Sequence, residues 1–240
     1  MRVINVLIFL LIFNTFILLG YLSSTMIGSV VHERTTGNIT RVIDGDTAEV
    51  RLLNVITSVR LLGINTPEKK QPYHDEAMNF LKKYEGKQIQ IEERGTDKYE
   101  RTLGYLYFEN KLINSEILKQ GFANLYVYDK DEHFSELKNA EEYARDNNLG
   151  LWKKSTHFGC VKIKQFEPVD ENPSDKETLI LENNCNINLN IIIKDDANHI
   201  YTEKIDGNSM LEMSFKDIFN DGGDSVYVRD DSGLILFYRY

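Results

Sequence analysis

The chain lacks several features that commonly reveal the class of a protein. Its 240 residues contain no internal repeat and no low-complexity tract, which excludes a repeat architecture. His74, His133 and His157 have no metal-ligand spacing, and no catalytic role is assigned to them. Positive charge is also scarce, because 37 Asp and Glu outnumber 28 Lys and Arg. The net charge of −9, taken for the whole chain, argues against a general nucleic-acid-binding protein.

The composition that is present suits a folded protein of one large or two small domains. Hydrophobic residues make up 42% of the chain and aromatic residues 11%, which is enough for a packed core. The acidity is uneven, because residues 158–240 contain 8 Lys and Arg against 16 Asp and Glu. The preceding part is close to neutral, so the charge balance leaves room there for a nucleic-acid site.

The N-terminus carries a long apolar stretch, from Val3 to Leu22. About 20 apolar residues can span a bilayer, and Leu22-Ser23-Ser24-Thr25 is a poor cleavage site. We therefore predict a membrane signal-anchor over residues 1–27, with a cleaved signal peptide as the alternative, and a linker over residues 28–36. Arg2 is the only charge before the stretch, so the positive-inside rule predicts a cytoplasmic N-terminus and an external body, membrane-anchored or secreted.

Periodicity in residues 37–155 predicts an α+β domain. Strands are predicted over residues 38–53 (two strands around Asp44-Gly45-Asp46), 58–62, 88–93 and 103–108. Helices are predicted over residues 73–84, with the apolar stripe Ala77, Phe80, Leu81 and Tyr84; from an N-cap at Asn114 to Gly121; and from Phe134 to Ala144. The order of these elements fits a small barrel that carries helices.

Residues 160–240 differ in character, because turn clusters separate short β-rich runs and no helical period stands out. This pattern predicts a separate small β-sandwich. Cys160 and Cys185 flank two predicted strands, Val161–Phe166 and Thr178–Glu182. If those strands form a hairpin centred near Asn172, the cysteines lie opposite each other, and an external protein favours a disulfide between them. Two unrelated buried thiols are the alternative.

Three short segments carry the chemistry of the chain. They are Asp44-Gly45-Asp46-Thr47, the run Arg60-Leu61-Leu62-Gly63-Ile64-Asn65-Thr66-Pro67-Glu68, and Asp97-Lys98-Tyr99-Glu100-Arg101. Together they supply carboxylates, an amide and two arginines, which suit a reaction that holds a hard cation and stabilises negative charge on a phosphorane. In this order and spacing they resemble the staphylococcal nuclease (thermonuclease) family across roughly half the chain. The resemblance implies a five-stranded OB-fold barrel with helices over residues 37–155.

The resemblance also implies a set of metal ligands. Asp46 matches a calcium ligand, Asn65 stands where the family has a second ligating Asp, and Thr66 matches a ligand through its backbone carbonyl. The amide of Asn65 can still ligate Ca²⁺, but one formal charge is lost, so we expect weaker calcium affinity or tolerance of another hard divalent cation. Taken without the family, Asp-Gly and Asn-Thr-Pro are common turn sequences.

Catalytic roles follow from the same matches. Glu68 matches the glutamate that acts as general base or orients the attacking water. Arg60 and Arg101 match two arginines whose guanidinium groups hold phosphate oxygens in bidentate fashion. Glu100 stands where the family usually has Gly, and its carboxylate is expected to compete for Arg101. An exposed charge at Glu68 and an ordinary surface arginine at Arg101 are the alternatives.

Substrate contacts are implied at Lys98, Tyr99, Tyr126 and Tyr128, which match positions that contact the distal phosphate and the base of a nucleotide. Aromatic faces stack on bases without sequence preference. The run from Leu125 to Tyr128 fits a plain strand or core segment equally well.

The end of the chain resembles a second family. Asp221-Gly222-Gly223-Asp224, the final Leu236-Phe237-Tyr238-Arg239-Tyr240 and the run Asp196-Ala197-Asn198-His199 are similar to a lamin-tail-type domain attached to exported enzymes. This resemblance covers residues 160–240 and is less specific than the first. It implies an immunoglobulin-like β-sandwich that binds or tethers a ligand, whose identity the sequence does not give.

These inferences converge on an exported or membrane-anchored, metal-dependent nuclease, with Ca²⁺ as the expected cofactor. The family mechanism implies cleavage that leaves 3′-phosphates on DNA and RNA, with little sequence preference, by a monomer. One alternative is a non-catalytic nucleic-acid or envelope-binding module on the same fold, since a fold alone proves no activity. Another is an envelope protein in which the β-sandwich is the functional part.

Overall fold

In the computed structural model, which describes residues 33–126, 130–168, 176–216, 218–220 and 223–240, the predicted α+β domain forms a barrel. Its strands are β1 (Arg34–Asp44), β2 (Thr47–Leu52), β3 (Val55–Leu61), β4 (Gly63–Asn65), β5 (Gln88–Thr96), β6 (Thr102–Phe108), β7 (Lys111–Leu112) and β8 (Asn124–Tyr126). Its helices are α1 (His74–Lys82), α2 (Ile113–Lys119) and α3 (Phe134–Asp146), followed by a 3₁₀ turn, Gly150–Trp152.

Five strands close the barrel in the order β3-β2-β1-β5-β6, because β3 also pairs in parallel with β6. The five-stranded, OB-type barrel expected from the resemblance is therefore confirmed. Alternation along the strands sends apolar side chains inward, where Ile39, Val50, Val59, Leu61 and Leu106 are fully or almost fully buried.

The helices cover the barrel through the apolar stripes that the periodicity predicts. In α1, Ala77, Phe80 and Leu81 are buried, and Tyr84, beyond the end of the helix, packs against the same core. Gly86 ends this segment at a φ of +75°, a conformation that favours glycine. The predicted helical stripe is therefore confirmed.

The predicted N-cap of α2 is wrong. Leu112 occupies that position, and Asn114 lies in the first turn with its side chain fully buried. The Asn114 amide donates to the carbonyl of Leu62 at 2.8 Å, and its Oδ1 accepts from the backbone N–H of Leu106 at 3.0 Å. Asn114 therefore connects the helix to the barrel wall, a tertiary role that outweighs its local preference for a cap.

The remainder of the chain forms two further sheets. Its strands are β9 (Val161–Glu167), β10 (Glu177–Asn183), β11 (Leu189–Lys194), β12 (Ile200–Ile205), β13 (Met210–Phe215), β14 (Ser225–Asp230) and β15 (Gly233–Arg239). One sheet has the order β13-β10-β9 and the other β12-β11-β14-β15. Apolar residues of both sheets, such as Leu179, Leu181, Ile191 and Val228, share one buried cluster, so the sheets pack face to face as a sandwich.

A disulfide joins Cys160 to Cys185, as the sequence predicts. Strands β9 and β10 are antiparallel, with Val161 opposite Asn183. This register places the cysteines next to one another, with 5.2 Å between their Cα atoms. The predicted hairpin is therefore confirmed on both strands, and its centre near Asn172 lies outside the described residues.

The barrel and the sandwich share a third apolar cluster, so they pack directly on each other within the compact unit of residues 34–240. Ala144 and Trp152 come from the end of the barrel domain, and Tyr227 and Leu234 come from the sandwich. Trp152 and Tyr227 are both completely buried. Burial of these two large aromatic side chains stabilises the contact by about 2 kcal/mol or more for each ring.

The N-terminal membrane segment predicted over residues 1–27 lies outside the described residues, as does most of the predicted linker. Arg34, Thr35 and Thr36, which the sequence places in that linker, belong to β1 and pair with β5. Within the part of the chain that the structure describes, no helix has the length and apolar character needed to cross a bilayer.

Candidate active site

Asp46 lies in the turn between β1 and β2, and its side chain is buried. Its Oδ2 accepts from the backbone N–H of Thr66 at 3.0 Å and from the Thr66 hydroxyl at 2.9 Å. Gly45 permits this approach, because a Cβ there would lie 2.7 Å from the Cβ of Ala77 and 2.9 Å from Thr66 Oγ1. The hairpin therefore presents a carboxylate in a fixed orientation beside Thr66.

Arg60 lies on β3 with its side chain directed away from the core, as the sequence predicts, because its neighbours Val59 and Leu61 are buried. One guanidinium nitrogen, Nη2, forms an ion pair with Asp46 Oδ2 at 3.2 Å and donates to the carbonyl of Ile64 at 2.9 Å. The other, Nη1, donates to the carbonyl of Leu61 at 2.6 Å. These contacts hold the guanidinium in one position.

Arg101 is paired with Asp97 rather than with Glu100, so the expected competition from Glu100 is wrong. Arg101 Nε donates to Asp97 Oδ2 at 2.7 Å, and the backbone N–H of Arg101 donates to Oδ1 at 2.9 Å. Burial raises the pKa of Asp97, but hydrogen bonds from Arg101 and Tyr99 outweigh it and lower the pKa. Glu100 adopts a left-handed conformation, with φ of +63°, and completes the turn.

Asn65 is buried, and its amide nitrogen faces the C-terminal sandwich. Nδ2 donates to the carbonyls of Asp196 at 3.1 Å and Ala197 at 3.0 Å, and to Oδ1 of Asn198 at 3.0 Å. The Oδ1 atom of Asn65 lies on the other side, 3.5 Å from Nη2 of Arg60. The loop between β11 and β12 thus reaches a residue of the barrel 131 positions earlier in the chain.

Glu68 is exposed and lies after β4, in the turn that precedes α1. Its Oε1 accepts from Nδ2 of Asn198 at 2.9 Å. The sequence does not reveal this partner, because the run that contains Asn198 resembles only part of a lamin-tail domain. No local signal in the sequence joins two residues so far apart in the chain.

One cleft of about 1010 Å³ gathers these side chains. Of the residues predicted from the sequence, its lining includes Asp46, Arg60, Asn65, Glu68, Lys98, Tyr99, Arg101 and Tyr126. Thr66 donates hydrogen bonds to Asp46 from its backbone N–H and its hydroxyl. Tyr128 lies outside the described residues. Residues of the lining that sequence reasoning did not assign to a site include Asp44, Arg94, Tyr105, Asp131, Ala197 and Asn198.

Lys98 and Tyr99 form a small cationic and aromatic rim on one side of the cleft. Tyr99 is 67% exposed, so a ring face is available to a base. Lys98 Nζ lies 5.1 Å and Arg101 Cζ 5.4 Å from the centre of that ring. Tyr126 is half-buried on β8, where it pairs with Gly63.

Asp44 adds a second carboxylate at the same hairpin. Its Oδ1 accepts from the backbone N–H of Gly45 at 2.6 Å. Burial raises the pKa of Asp44 above its ordinary value, and the charge of Asp46 raises it further. The sequence assigned Asp44 to the turn alone, whereas the structure places it in the lining of the cleft.

The donor chemistry of the cleft fits a hard divalent cation. Asp46, Asn65, Thr66 and Glu68 offer carboxylate, amide and carbonyl oxygens, which are the ligands that Ca²⁺ takes in proteins.

A different group, Glu92, Glu132 and His133, has side-chain ligand atoms within 4.8 Å of one another. Arg94 forms ion pairs with both carboxylates of that group, and Arg34 lies 3.7 Å from Glu92, so two arginines balance the two negative charges.

Comparison with known proteins gives consistent matches. The model of a family described as staphylococcal nuclease homologue matches residues 58–154. A thermonuclease of Staphylococcus intermedius is 32% identical over 126 residues, covering 48% of this chain and 75% of that protein. A Haemophilus influenzae protein named as an uncharacterized endonuclease is 31% identical over 149 residues, covering 61% of this chain and 82% of that protein.

The SPbeta prophage-derived endonuclease YokF of Bacillus subtilis is 35% identical over 143 residues. That match covers 52% of this chain and 48% of YokF, so the chain spans about half the length of that relative. The family match over residues 58–154 includes Arg60, Asn65, Glu68 and Arg101 of the cleft, whereas Asp46 precedes it.

Proposed function

Because the chain belongs to the staphylococcal nuclease family, we propose that it is a metal-dependent endonuclease that hydrolyses phosphodiester bonds of DNA and RNA and leaves 3′-phosphates. The observation that carries the proposal is the cleft in which Asp46, Arg60, Glu68 and Arg101 meet. Two guanidinium groups in the cleft suit the stabilisation of negative charge on the phosphorane, and the carboxylates beside them suit the binding of a cation.

The metal would be held by Asp46, by the amide oxygen of Asn65 and by the backbone carbonyl of Thr66, with Ca²⁺ as the first candidate. When bound, such an ion supplies Lewis-acid polarisation of the phosphate. Asn65 contributes no charge, so calcium affinity is lower than with an Asp at this position. Asn65 Oδ1 points away from the C-terminal loop, which leaves this atom on the side of Arg60.

Arg60 is the phosphate donor that is already fixed. Its ion pair with Asp46 and its bonds to two carbonyls orient the guanidinium plane before substrate arrives. Preorganised donors stabilise a developing charge without reorganisation at the moment of reaction. We propose that Arg60 donates hydrogen bonds to the equatorial oxygens of the phosphorane.

Arg101 is held by Asp97 in the absence of substrate. Its Nε and Nη2 both lie 2.7 Å from Asp97 Oδ2. The remaining N–H groups of the guanidinium are left for a phosphate while Asp97 keeps the side chain oriented. Glu68 is the group that orients or deprotonates the attacking water. Its exposure at the mouth of the cleft gives that water a route to the site.

The rim suits single-stranded or frayed substrates. Stacking on Tyr99 and Tyr126 needs unpaired bases, and it is insensitive to base identity. Lys98 adds a phosphate contact beside Tyr99. The substrate class is therefore DNA and RNA with little sequence preference.

Export is part of the proposal. The Cys160–Cys185 disulfide is the kind of bond that persists in oxidising compartments. Together with the apolar N-terminus it supports a membrane-anchored protein with an external nuclease domain, or a secreted one. We further propose that the sandwich is a lamin-tail-like, immunoglobulin-like module that tethers the enzyme to an unidentified ligand, and that the chain acts as a monomer.

The proposal is tested by cleavage of one labelled single-stranded sequence, made both as DNA and as RNA, by the full 240-residue chain. Calcium, magnesium and manganese are compared with a chelator, and phosphatase treatment of the products identifies the phosphate-bearing end. We expect cation-dependent cleavage of both polymers with phosphate at the 3′ ends. A folded protein that cleaves neither polymer with any of these cations would instead support a non-catalytic binding module.

A further inference from the structure

The loop between β11 and β12, residues 195–199, brings the C-terminal sandwich into contact with the cleft. Asn198 uses both ends of its amide there, because Oδ1 accepts from Asn65 at 3.0 Å and Nδ2 donates to Glu68 at 2.9 Å. One side chain of the sandwich therefore bridges two residues of the barrel site. The backbone of the same loop adds the carbonyls of Asp196 and Ala197 as acceptors for Asn65.

These contacts determine which way the Asn65 amide points. Its two N–H groups are shared among three oxygen acceptors of the loop, so its oxygen faces the opposite side, towards Arg60. A carboxylate at this position would place an oxygen against two carbonyls and the Asn198 oxygen, with no proton to share. The loop therefore accounts for an amide at position 65.

The loop is held rigidly by its own domain. The carboxylate of Asp196 is largely buried and accepts from the Tyr227 hydroxyl at 2.7 Å and the Ser225 hydroxyl at 3.0 Å. Arg239 lies 3.3 Å from the same carboxylate. Lys194 donates to the carbonyls of Asp195 and Ala197.

The support continues into the barrel. Arg239 also forms an ion pair with Glu141 on α3, which is fully buried. Glu141 in turn accepts from the backbone N–H of Leu125 on β8 at 2.7 Å, and β8 pairs with β4, the strand of Asn65. A buried, paired network on both sides of the contact makes the loop a fixed wall of the cleft rather than a strap poised to open.

We propose that Asn198 is a positioning residue of the nuclease site, so that the C-terminal sandwich completes the active site of the barrel. Asn198 holds the carboxylate of Glu68 and, with the carbonyls of Asp196 and Ala197, orients the amide of Asn65. The proposal rests on the proposed function, since it concerns the same reaction. It assigns to the sandwich a part in hydrolysis, in addition to any role as a tether.

Two variants of the full chain separate the contacts of Asn198. Asn198→Ala removes both bonds, and we expect kcat to fall about tenfold with KM unchanged within about twofold, because the substrate contacts remain. Asn198→Asp keeps an acceptor for Asn65 but sets a second carboxylate against Glu68, so its kcat should fall further. Asn188→Ala is the matched control, because this exposed asparagine accepts one hydrogen bond, from Gly207, elsewhere in the same domain.

A measurement without substrate tests the contact itself. In a double-mutant cycle of Asn65→Ala and Asn198→Ala, the loss of melting temperature in the double variant should be smaller than the sum of the single losses. Additive losses would show that the two residues do not interact, and would overturn the proposal.

The kinetic outcomes distinguish the two proposals. If the wild-type chain cleaves and Asn198→Ala has an equal or higher kcat, the positioning role is overturned and the nuclease proposal stands. A higher kcat would mean that the loop slows the reaction. Absence of cleavage by the wild-type chain overturns the proposed function, and the positioning role with it.

Discussion

The guanidinium of Arg60 lies 3.2 Å from the carboxylate of Asp46, and both side chains are at most 14% exposed. A paired charge in so dry a setting is costly to break, because the remaining partner is left uncompensated. The pair also joins the residue proposed to bind phosphate to the residue proposed to bind metal. A change at Arg60 should therefore affect both the reaction and the stability of the cleft.

We predict that Arg60→Lys lowers kcat by about 100-fold or more. Lysine keeps the charge but cannot donate at once to the carbonyls of Leu61 and Ile64 and to a phosphate in a planar fork. The measurement is steady-state cleavage of single-stranded DNA. Arg41→Lys is the control, because Arg41 pairs with Glu49 across exposed strands and should retain wild-type activity. Equal activity of both variants would remove Arg60 from the mechanism.

Asn65→Asp should destabilise the folded chain although it restores the residue typical of the family. The new carboxylate would face the carbonyls of Asp196 and Ala197 and the oxygen of Asn198, at a cost of about 1–3 kcal/mol. Denaturant unfolding compares this variant with Asn190→Asp, an exposed position on β11. A variant as stable as the wild type would mean that the loop does not select the amide.

Glu100→Gly should stabilise the chain. Glu100 has a φ of +63°, which costs a residue with a Cβ on the order of 1 kcal/mol and costs glycine little. We expect a gain of about 0.5–1 kcal/mol in the free energy of unfolding. Glu93→Gly, in the middle of β5, provides the opposite case and should lose stability. A loss at Glu100 as well would mean that its side chain contributes a stabilising contact.

Asp230 should make the junction of the two domains sensitive to acid. Burial raises the pKa of Asp230, but hydrogen bonds from Ser155, His157 and Ser232 outweigh burial and lower the pKa to about 2. A lowered pKa stabilises the folded state above the unfolded value, near 3.9, and this contribution is lost as the pH falls towards 2.

The corresponding measurement is the difference in the free energy of unfolding between the wild type and Asp230→Asn from pH 7 to pH 2. We expect a difference of about 1–2 kcal/mol that is constant above about pH 5 and shrinks towards zero near pH 2. A difference independent of pH would show that the ionised carboxylate is not the stabilising group.

Most of the barrel could be predicted, because its information is local. Alternation gives the strands, and the stripe of Ala77, Phe80 and Leu81 gives α1. Strands β12 and β13 were not predicted. Only Ile205 of β12 and Met213 and Phe215 of β13 are buried, so neither strand has a long inward-facing apolar alternation. Such strands are specified by pairing with β11 and β10 rather than by their own pattern.

The candidate site could be predicted as a set of residues but not as an arrangement. Motif spacing identified Asp46, Arg60, Glu68 and Arg101, and the structure gathers them in one cleft. The partners of Asn65 and Glu68 come from a loop that no periodicity connects to the barrel. Asn114 shows the same limit within the barrel, since a buried tertiary bond replaced its expected cap.

The measurement that tests the central claim most directly is hydrolysis of denatured DNA by the full chain with calcium, with and without a chelator, beside Glu68→Gln. Glu76→Gln, on the exposed side of α1, is the matched control. The account predicts calcium-dependent cleavage that falls by about 100-fold or more in Glu68→Gln and persists in Glu76→Gln. Cleavage of equal rate in Glu68→Gln, or cleavage unaffected by the chelator, would contradict it.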